Sequence, residues 1–169
     1  MSPAHLPFDV RQATSADLAD VARMRVALWP ELTLATSTAE VAGILAGRRL
    51  GGMPWTFFVA RERTGGRALG FAEASLHNHA NGCDPDHSVG YLEGWWVEPD
   101  ARWSGVGRAL VDAAMAWAAT HGCVEFASDA HLDNLVSRRA HAALGFEEEA
   151  PGVNFRRRIQ GRGPDRTET

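Results

Sequence analysis

Cysteine is scarce in this chain of 169 residues: only Cys83 and Cys123 are present. They form no Cys-x-x-Cys and no Cys/His cluster, which argues against a disulfide scaffold or a zinc site. Basic charge is not in excess either. The net charge is −4 with histidine neutral, which gives no reason to expect a nucleic-acid partner and suits a cationic small molecule. No stretch approaches the roughly 18 apolar residues of a membrane span. The opening MSPAHLPFDVRQAT lacks an apolar leader segment, so the expected location is the cytoplasm. Internal repeats and linkers are missing too. A chain of this length with 45% hydrophobic residues is expected to form one domain, over residues 1–160, around one core. The polar tail 161–169 is expected to be disordered.

Tryptophan, by contrast, is plentiful: Trp29, Trp55, Trp95, Trp96, Trp103 and Trp117 stand among fourteen aromatics. Periodicity does not place all six in a core, so several can line a pocket. In chain order, Phe8 to Gln12 alternates as a strand. Thr14-Ser15-Ala16-Asp17 carries a helix start, and Leu18, Val21, Ala22, Arg25, Leu28 and Trp29 recur at helical spacing up to Pro30. Ser37 to Glu40 is expected to open a second helix, closed by Gly51-Gly52. Trp55–Arg61 and Ala68–Leu76 form a hairpin around Thr64-Gly65-Gly66. His77 to His87 reads as a polar loop; its histidines are irregularly spaced, so a solvated loop is expected rather than a metal site. Gly105 to His121 is a third helix, Val124 to Ser128 a short strand, and Asp133-Asn134 caps a fourth helix ending at Gly145. Phe146–Glu149 and Val153–Ile159 complete the expected set as two strands. The order β-α-α-β-β-β-α-β-α-β-β predicts an α/β (α+β) domain with a mixed sheet and helices on both faces.

The most informative stretch is Gly90 to Leu110, GYLEGWWVEPDARWSGVGRAL. Tyr91 to Val97 is aromatic and β-branched enough for a strand. Pro99 breaks it. Arg102-Trp103-Ser104-Gly105-Val106-Gly107 then leads straight into a helix. Glycines at such a bend let main-chain N–H groups turn inward, and the helix N-terminus adds partial positive charge, which together make a seat for a phosphate or pyrophosphate. A lone Gly-x-Gly is equally a tight turn that needs flexible residues. The stretch is neither a Rossmann fingerprint nor a P-loop, because it lacks the third glycine and the Gly-Lys-Ser/Thr.

This Arg-x-x-Gly-x-Gly resembles the acetyl-CoA signature of the GCN5-related N-acetyltransferase (GNAT) superfamily, and the element order matches that fold over nearly the whole chain. Within it, Leu28-Trp29-Pro30, Gly70 to Ser75, Asn81-Gly82-Cys83, Tyr91 to Gly94, Gly122-Cys123, Ser128-Asp129 and His141 to Glu148, taken in order, are similar to the aminoglycoside 6′-N-acetyltransferases. The resemblance implies acetyl transfer from acetyl-CoA to the 6′-amino group of an aminoglycoside antibiotic, and a homodimer. The family often has Asp-Tyr-Val before the Asn-Gly; here Asn78-His79-Ala80 stands there, so His79 holds the place of a sugar-contacting tyrosine.

Such a transfer needs a neutral amine, a polarised thioester carbonyl and a proton for the leaving thiolate. Main-chain N–H groups near Trp96 and Val97 are expected at the thioester oxygen. Arg102, Gly105, Val106, Gly107 and Arg108 are expected at the pyrophosphate, and Asn134 at the pantetheine arm. Glu93 is either the carboxylate that takes the amine proton or a structural buried acid. Asp129 binds the amine or caps a helix. His141, four residues before Gly145-Phe146, is the spacing equivalent of the tyrosine that in related acetyltransferases protonates the thiolate, or else a helix histidine. Glu31 and Glu73 are candidates for drug ammonium groups, and Trp29 and Trp95 for stacking on sugars. No metal is expected. An acetyltransferase for another amine, such as a polyamine or a protein N-terminus, and a non-catalytic coenzyme A sensor are the alternatives left open by the residues alone.

Overall fold

The computed structural model describes residues 7–49 and 52–152. The elements run β1 (Phe8–Gln12), α1 (Leu18–Leu28), α2 (Leu34–Leu45), β2 (Trp55–Glu62), β3 (Ala68–His77), β4 (Val89–Val97), α3 (Val106–Thr120), β5 (Phe126–Ser128) and α4 (Leu135–Ala143). One sheet carries the strands in sequence order. Its first four strands are antiparallel and β5 lies parallel to β4. Strand alternation sorts the core into two layers. Phe58, Ala60, Ala72, Ala74 and Leu92 pack against Val106, Leu110 and Ala114 of α3. Phe57, Val59 and Phe71 pack against Val21, Met24, Val41 and Ile44 of α1 and α2. Helices on both faces of a mixed sheet are what the sequence pattern leads one to expect. Among the described residues no helix is long and apolar enough to cross a membrane.

Several boundaries differ from the sequence expectation, each for a local reason. Helix α2 begins at Leu34, because Thr33 Oγ1 accepts the Thr36 N–H at 3.1 Å and caps it. Ser37, expected to start that helix, is buried inside it, and its hydroxyl donates to the Ala22 carbonyl at 3.0 Å. The helix stops at Gly47, whose φ of 90° suits glycine, and not at Gly51-Gly52. His77 belongs to β3 and not to the polar loop. Phe146–Glu149 is not a strand. The Phe146 N–H closes the end of α4 on the His141 carbonyl, the Phe146 ring packs on the α3-side core, and Glu148 pairs with Arg138 at 2.7 Å. The segment therefore folds back along α4. The expected strand Val153–Ile159 and the tail from Gly161 lie outside the described residues.

The first turn of α1 is tied to the sheet by a buried acid. Asp17 is fully buried. It accepts from Arg11 at 2.7 Å, from the Thr14 N–H at 2.8 Å and from Arg61 at 2.9 Å. Burial alone would push this carboxyl up, but the bonds from Arg11, Thr14 and Arg61 outweigh it and hold the group well below the usual carboxylate range. A depressed folded-state value stabilises the fold fully above the unfolded value of about 3.9 and is lost as pH falls towards the folded value. Asp17→Asn should therefore cost about 3 kcal/mol at pH 7, as for a broken buried pair. It should also flatten the loss of stability between pH 5 and pH 2, read by urea unfolding at each pH; a variant with the wild-type pH slope would contradict this.

Candidate active site

The site is built where β4 departs from regular pairing. The β3–β4 register passes from Glu73↔Gly94 to Ala74↔Leu92, so Glu93 is an extra residue, a β-bulge. A bulge re-aims side chains and strengthens the local twist. Leu92 and Trp95, three apart, both face the α3-side core as a result. On the other edge, β5 pairs with β4 only from Gly90↔Phe126 to Leu92↔Ser128. Beyond Leu92 no described strand lies along that side. The Glu98 N–H donates to the Leu69 carbonyl at 2.8 Å. By ladder alternation the Trp96 N–H also faces β3, while the N–H groups of Trp95 and Val97 face the open edge. Of the two residues expected to hold the thioester oxygen, Val97 thus has its N–H on the open side and Trp96 does not. The indole Nε1 of Trp96 is buried with no partner among the described residues.

The bend that follows fits an anionic ligand. Gly105 has φ 90° and open space where a side chain would be. It precedes the fifteen-residue α3, whose first intrahelical bond is donated by Ala109 to the Gly105 carbonyl. The N–H groups of Val106, Gly107 and Arg108 are therefore left for a ligand. The Val106 side chain is buried, so only its main chain can serve. A Cβ at Gly107 would lie 3.2 Å from the Trp95 ring. Arg102 lies over Trp96 at 5.0 Å and donates to the Val97 carbonyl at 3.1 Å. Arg108 donates to the Ala143 carbonyl at 2.6 Å, tying α3 to α4. Both keep further N–H groups. Asn134 caps α4 by accepting the Ser137 N–H at 3.1 Å, which leaves its amide NH2 for other contacts.

On the α1/α2 side of the bulge a pocket of about 370 Å³ is lined by Arg25, Trp29, Glu31, Leu32, Trp55, Glu73 and Glu93. Trp29 sits at the end of α1, and its ring lies against Gly94, where a Cβ would come within 2.5 Å. Glu73 is almost wholly buried and already paired. It accepts from Arg25 Nε and from Trp55 Nε1, both at 2.9 Å. Burial pushes its carboxyl up, with Arg25 and Trp55 opposing. Arg25 also reaches Glu40 at 3.0 Å. Glu93, at the bulge, accepts from Ser75 and, at 2.8 Å, from His77. The structure thus joins Trp29, Glu31, Glu73 and Glu93 in one pocket. Trp95 is on the opposite face, edge-on to His141 at 5.8 Å. His79 is exposed on the loop.

Asp129, just past β5, is exposed and accepts from the Tyr91 hydroxyl at 2.9 Å. Since Asn134 caps α4, the capping role open to Asp129 on sequence is filled by another residue. His141 sits on α4 with Nδ1 2.8 Å from the Ser137 carbonyl and Nε2 3.0 Å from Ser128 Oγ. The Ser128 hydroxyl is also 3.0 Å from the Leu92 carbonyl, where the strands part. Ser128 has one hydrogen to give. If it goes to Leu92, the Nε2–H of His141 donates to Ser128 Oγ, while Nδ1 lies near both the carbonyl and, at 3.3 Å, the hydroxyl of Ser137.

Sequence reasoning missed Arg25, Trp55, Ser75, His77 and Tyr91. A signal existed for Arg25, a cation at a core-facing helical position, and for Glu73, an acid inside an apolar strand. Two opposite charges on facing apolar surfaces point to a buried pair.

Residues 22–146 match the model of the acetyltransferase (GNAT) family. The chain is 43% identical over 148 residues to an aminoglycoside N(6′)-acetyltransferase type 1 of Klebsiella aerogenes, covering 88% of this chain and 95% of that one. Among solved structures it is similar to the aminoglycoside N-acetyltransferase AAC(6′)-Iy in complex with CoA. The TM-score is 0.82 at 34% identity, over 94% of this chain and 100% of the other. The same enzyme bound to a bisubstrate analogue, CoA-S-monomethyl-acetylneamine, gives a TM-score of 0.79 at 35% identity, over 90% and 99%.

The pocket floor should respond as a buried ion pair. Glu73→Leu alone leaves Arg25 half-compensated and should cost about 3–5 kcal/mol. The double change Arg25→Met with Glu73→Leu should recover most of that loss, as replacing a whole buried pair often does. Urea midpoints of the two single variants and the double variant decide it. Additive losses would mean that the two charges do not act as a pair.

Proposed function

The chain belongs to the acetyltransferase (GNAT) family, and we propose that it transfers the acetyl group of acetyl-CoA to the 6′-amino group of aminoglycoside antibiotics, thereby conferring resistance. One observation carries the substrate assignment. The acidic pocket holding Trp29, Glu31 and Glu93 opens beside the half-unpaired stretch of β4. Carboxylates there receive a polycation and tryptophan rings offer flat apolar faces to a sugar. The pair formed by Glu73 and Arg25 contributes little net charge, so Glu31 and Glu93 supply the attraction.

Transfer proceeds by direct attack, with no covalent enzyme intermediate. The substrate amine arrives as an ammonium ion and gives a proton to Glu93, directly or through water. Its nitrogen lone pair then adds to the thioester carbon, and the carbonyl π electrons move to oxygen. The open-edge N–H of Val97 faces that oxygen and stabilises the charge as it forms. Collapse re-forms the carbonyl, breaks the C–S bond and expels the thiolate, while the nitrogen, cationic since the attack, releases its second proton to water and leaves as a neutral amide. His141 gives a proton to sulfur, either directly or through the Ser128 hydroxyl, and regains one from solvent. The N–H groups of Val106, Gly107 and Arg108, with the Arg102 and Arg108 charges, hold the diphosphate and so place the thioester. Asn134 reaches the pantetheine arm. Asp129, linked to β4 through Tyr91, binds a second ammonium group of the drug. The enzyme works in the cytoplasm, where acetyl-CoA is made and used, and as a homodimer, as the family resemblance implies.

Thiol release from acetyl-CoA should be seen with kanamycin and tobramycin, and not with a gentamicin component that lacks a primary 6′-amine. Equal rates on the blocked drug would reject the 6′ assignment; turnover on spermidine alone would favour a polyamine enzyme. Glu93→Gln should lower kcat by about 10²-fold, the scale of a lost acid–base group. His141→Phe should slow turnover at saturating drug, and an unchanged rate across pH would remove His141 from the mechanism.

A further inference from the structure

Glu93 is held unevenly. Ser75 Oγ and His77 Nε2 both approach one carboxylate oxygen, Oε1, with His77 at 2.8 Å. Oε2 has no hydrogen-bond partner among the described residues. The two donors stand two apart on β3, so they project from the same face. Glu93 reaches them because the bulge places it opposite Glu73 with Gly94. A glutamate has three rotatable side-chain bonds, and a bulge residue lacks the regular ladder that orients its neighbours. Something must fix the carboxylate if it is to meet an amine in one geometry.

His77 is itself fixed. Its ring stacks flat on Tyr91, with centroids 4.2 Å apart and planes 4° from parallel. Tyr91 is anchored in turn by its hydroxyl on Asp129. Burial, with the bond to Asp129, pushes the Tyr91 phenol up, so it remains a donor in the working pH range. The line Asp129–Tyr91–His77–Glu93 runs from the end of β5 across β4 to the pocket. Of the other charged groups lining the pocket, Arg25, Glu31 and Glu73, Glu73 is already engaged by Arg25 and Trp55.

We propose that His77 is a positioning residue for the proton-accepting carboxylate: with Ser75 it anchors Oε1 of Glu93 and leaves Oε2 as the oxygen that takes the amine proton. The proposal rests on the reading of Glu93 given above. The proton passes from the ammonium nitrogen to Oε2, and His77 neither gains nor loses one. Because His77 is stacked on Tyr91, the same ring also couples the Glu93 carboxylate to Asp129, the other acid near the open edge.

The test is steady-state kinetics on His77→Phe and His77→Gln, each also made in a Glu93→Gln background. Phenylalanine keeps a ring for Tyr91 but has no N–H, while glutamine keeps a donor. H77F should lower kcat about 10-fold, short of the ~10²-fold of a full 1 Å misplacement because Ser75 still holds Oε1, with KM for acetyl-CoA unchanged. H77Q should restore most of the rate. In the E93Q background H77F should have less than a twofold further effect. Wild-type turnover in H77F beside a strongly impaired E93Q would overturn this inference and leave the role of Glu93 standing. Near-normal turnover in E93Q would sink the Glu93 reading and the present inference with it. Equal loss in H77F and H77Q would show that the N–H is not what matters. If H77F does not fold, His77→Leu carries the same comparison.

Discussion

Among the described residues, strand β4 has a hydrogen-bonded neighbour on one side only beyond Leu92. In a sheet interior that would leave main-chain groups unsatisfied, and unpaired backbone is costly when buried. Here the N–H groups of Trp95 and Val97 face that open edge, and in the mechanism proposed above they are the donors offered to an extended ligand with amide and thioester groups. The rest of the site is arranged around this edge. Ser128, the last residue of β5, bonds back to Leu92 where the strands part. The bend at Gly105 then turns the chain so that the start of α3 stands at the far end of the opening. In the proposed function this one edge connects the seat for the diphosphate with the pocket for the amine.

The two faces of the sheet divide the work. Trp95, Gly107 and His141 meet on the α3 side, and the acids and Trp29 lie on the α1/α2 side. The bulge at Glu93 lets one strand serve both faces within five residues. The acids of the pocket are also not equivalent. Glu73 is locked to Arg25 and Trp55 and forms the floor. Glu93 is half-tethered, with one oxygen bound and the other without a partner among the described residues. A fully paired acid supports the pocket, whereas a half-paired one can still accept a proton.

Much of this was legible in the sequence. Strand β1 falls at the expected residues, the hairpin of β2 and β3 is within one residue, and α3 follows the glycine bend as the pattern demands. Trp29, Glu31, Glu73 and Glu93 do share a pocket. What stayed hidden depends on register or on tertiary partners. The Leu92-Glu93-Gly94-Trp95 run does not reveal a bulge, because an extra residue shows only against the partner strand. Thr33 and Ser37 are both competent caps, and burial of Ser37 against Ala22 decides between them. A strand is expected over Phe146–Glu149, yet its three glutamates suit one poorly, and the pairs Arg138–Glu148 and Phe146–His141 hold it to α4. His77 looks like the start of a polar loop until its stack on Tyr91 is seen.

The most direct measurement is a crystal structure with acetyl-CoA bound. The account predicts the diphosphate within hydrogen-bond distance of the Val106, Gly107 and Arg108 N–H groups, and the pantetheine arm extended along the open edge of β4 past Val97. Coenzyme bound elsewhere on the surface, or an arm that does not run along β4, would contradict it.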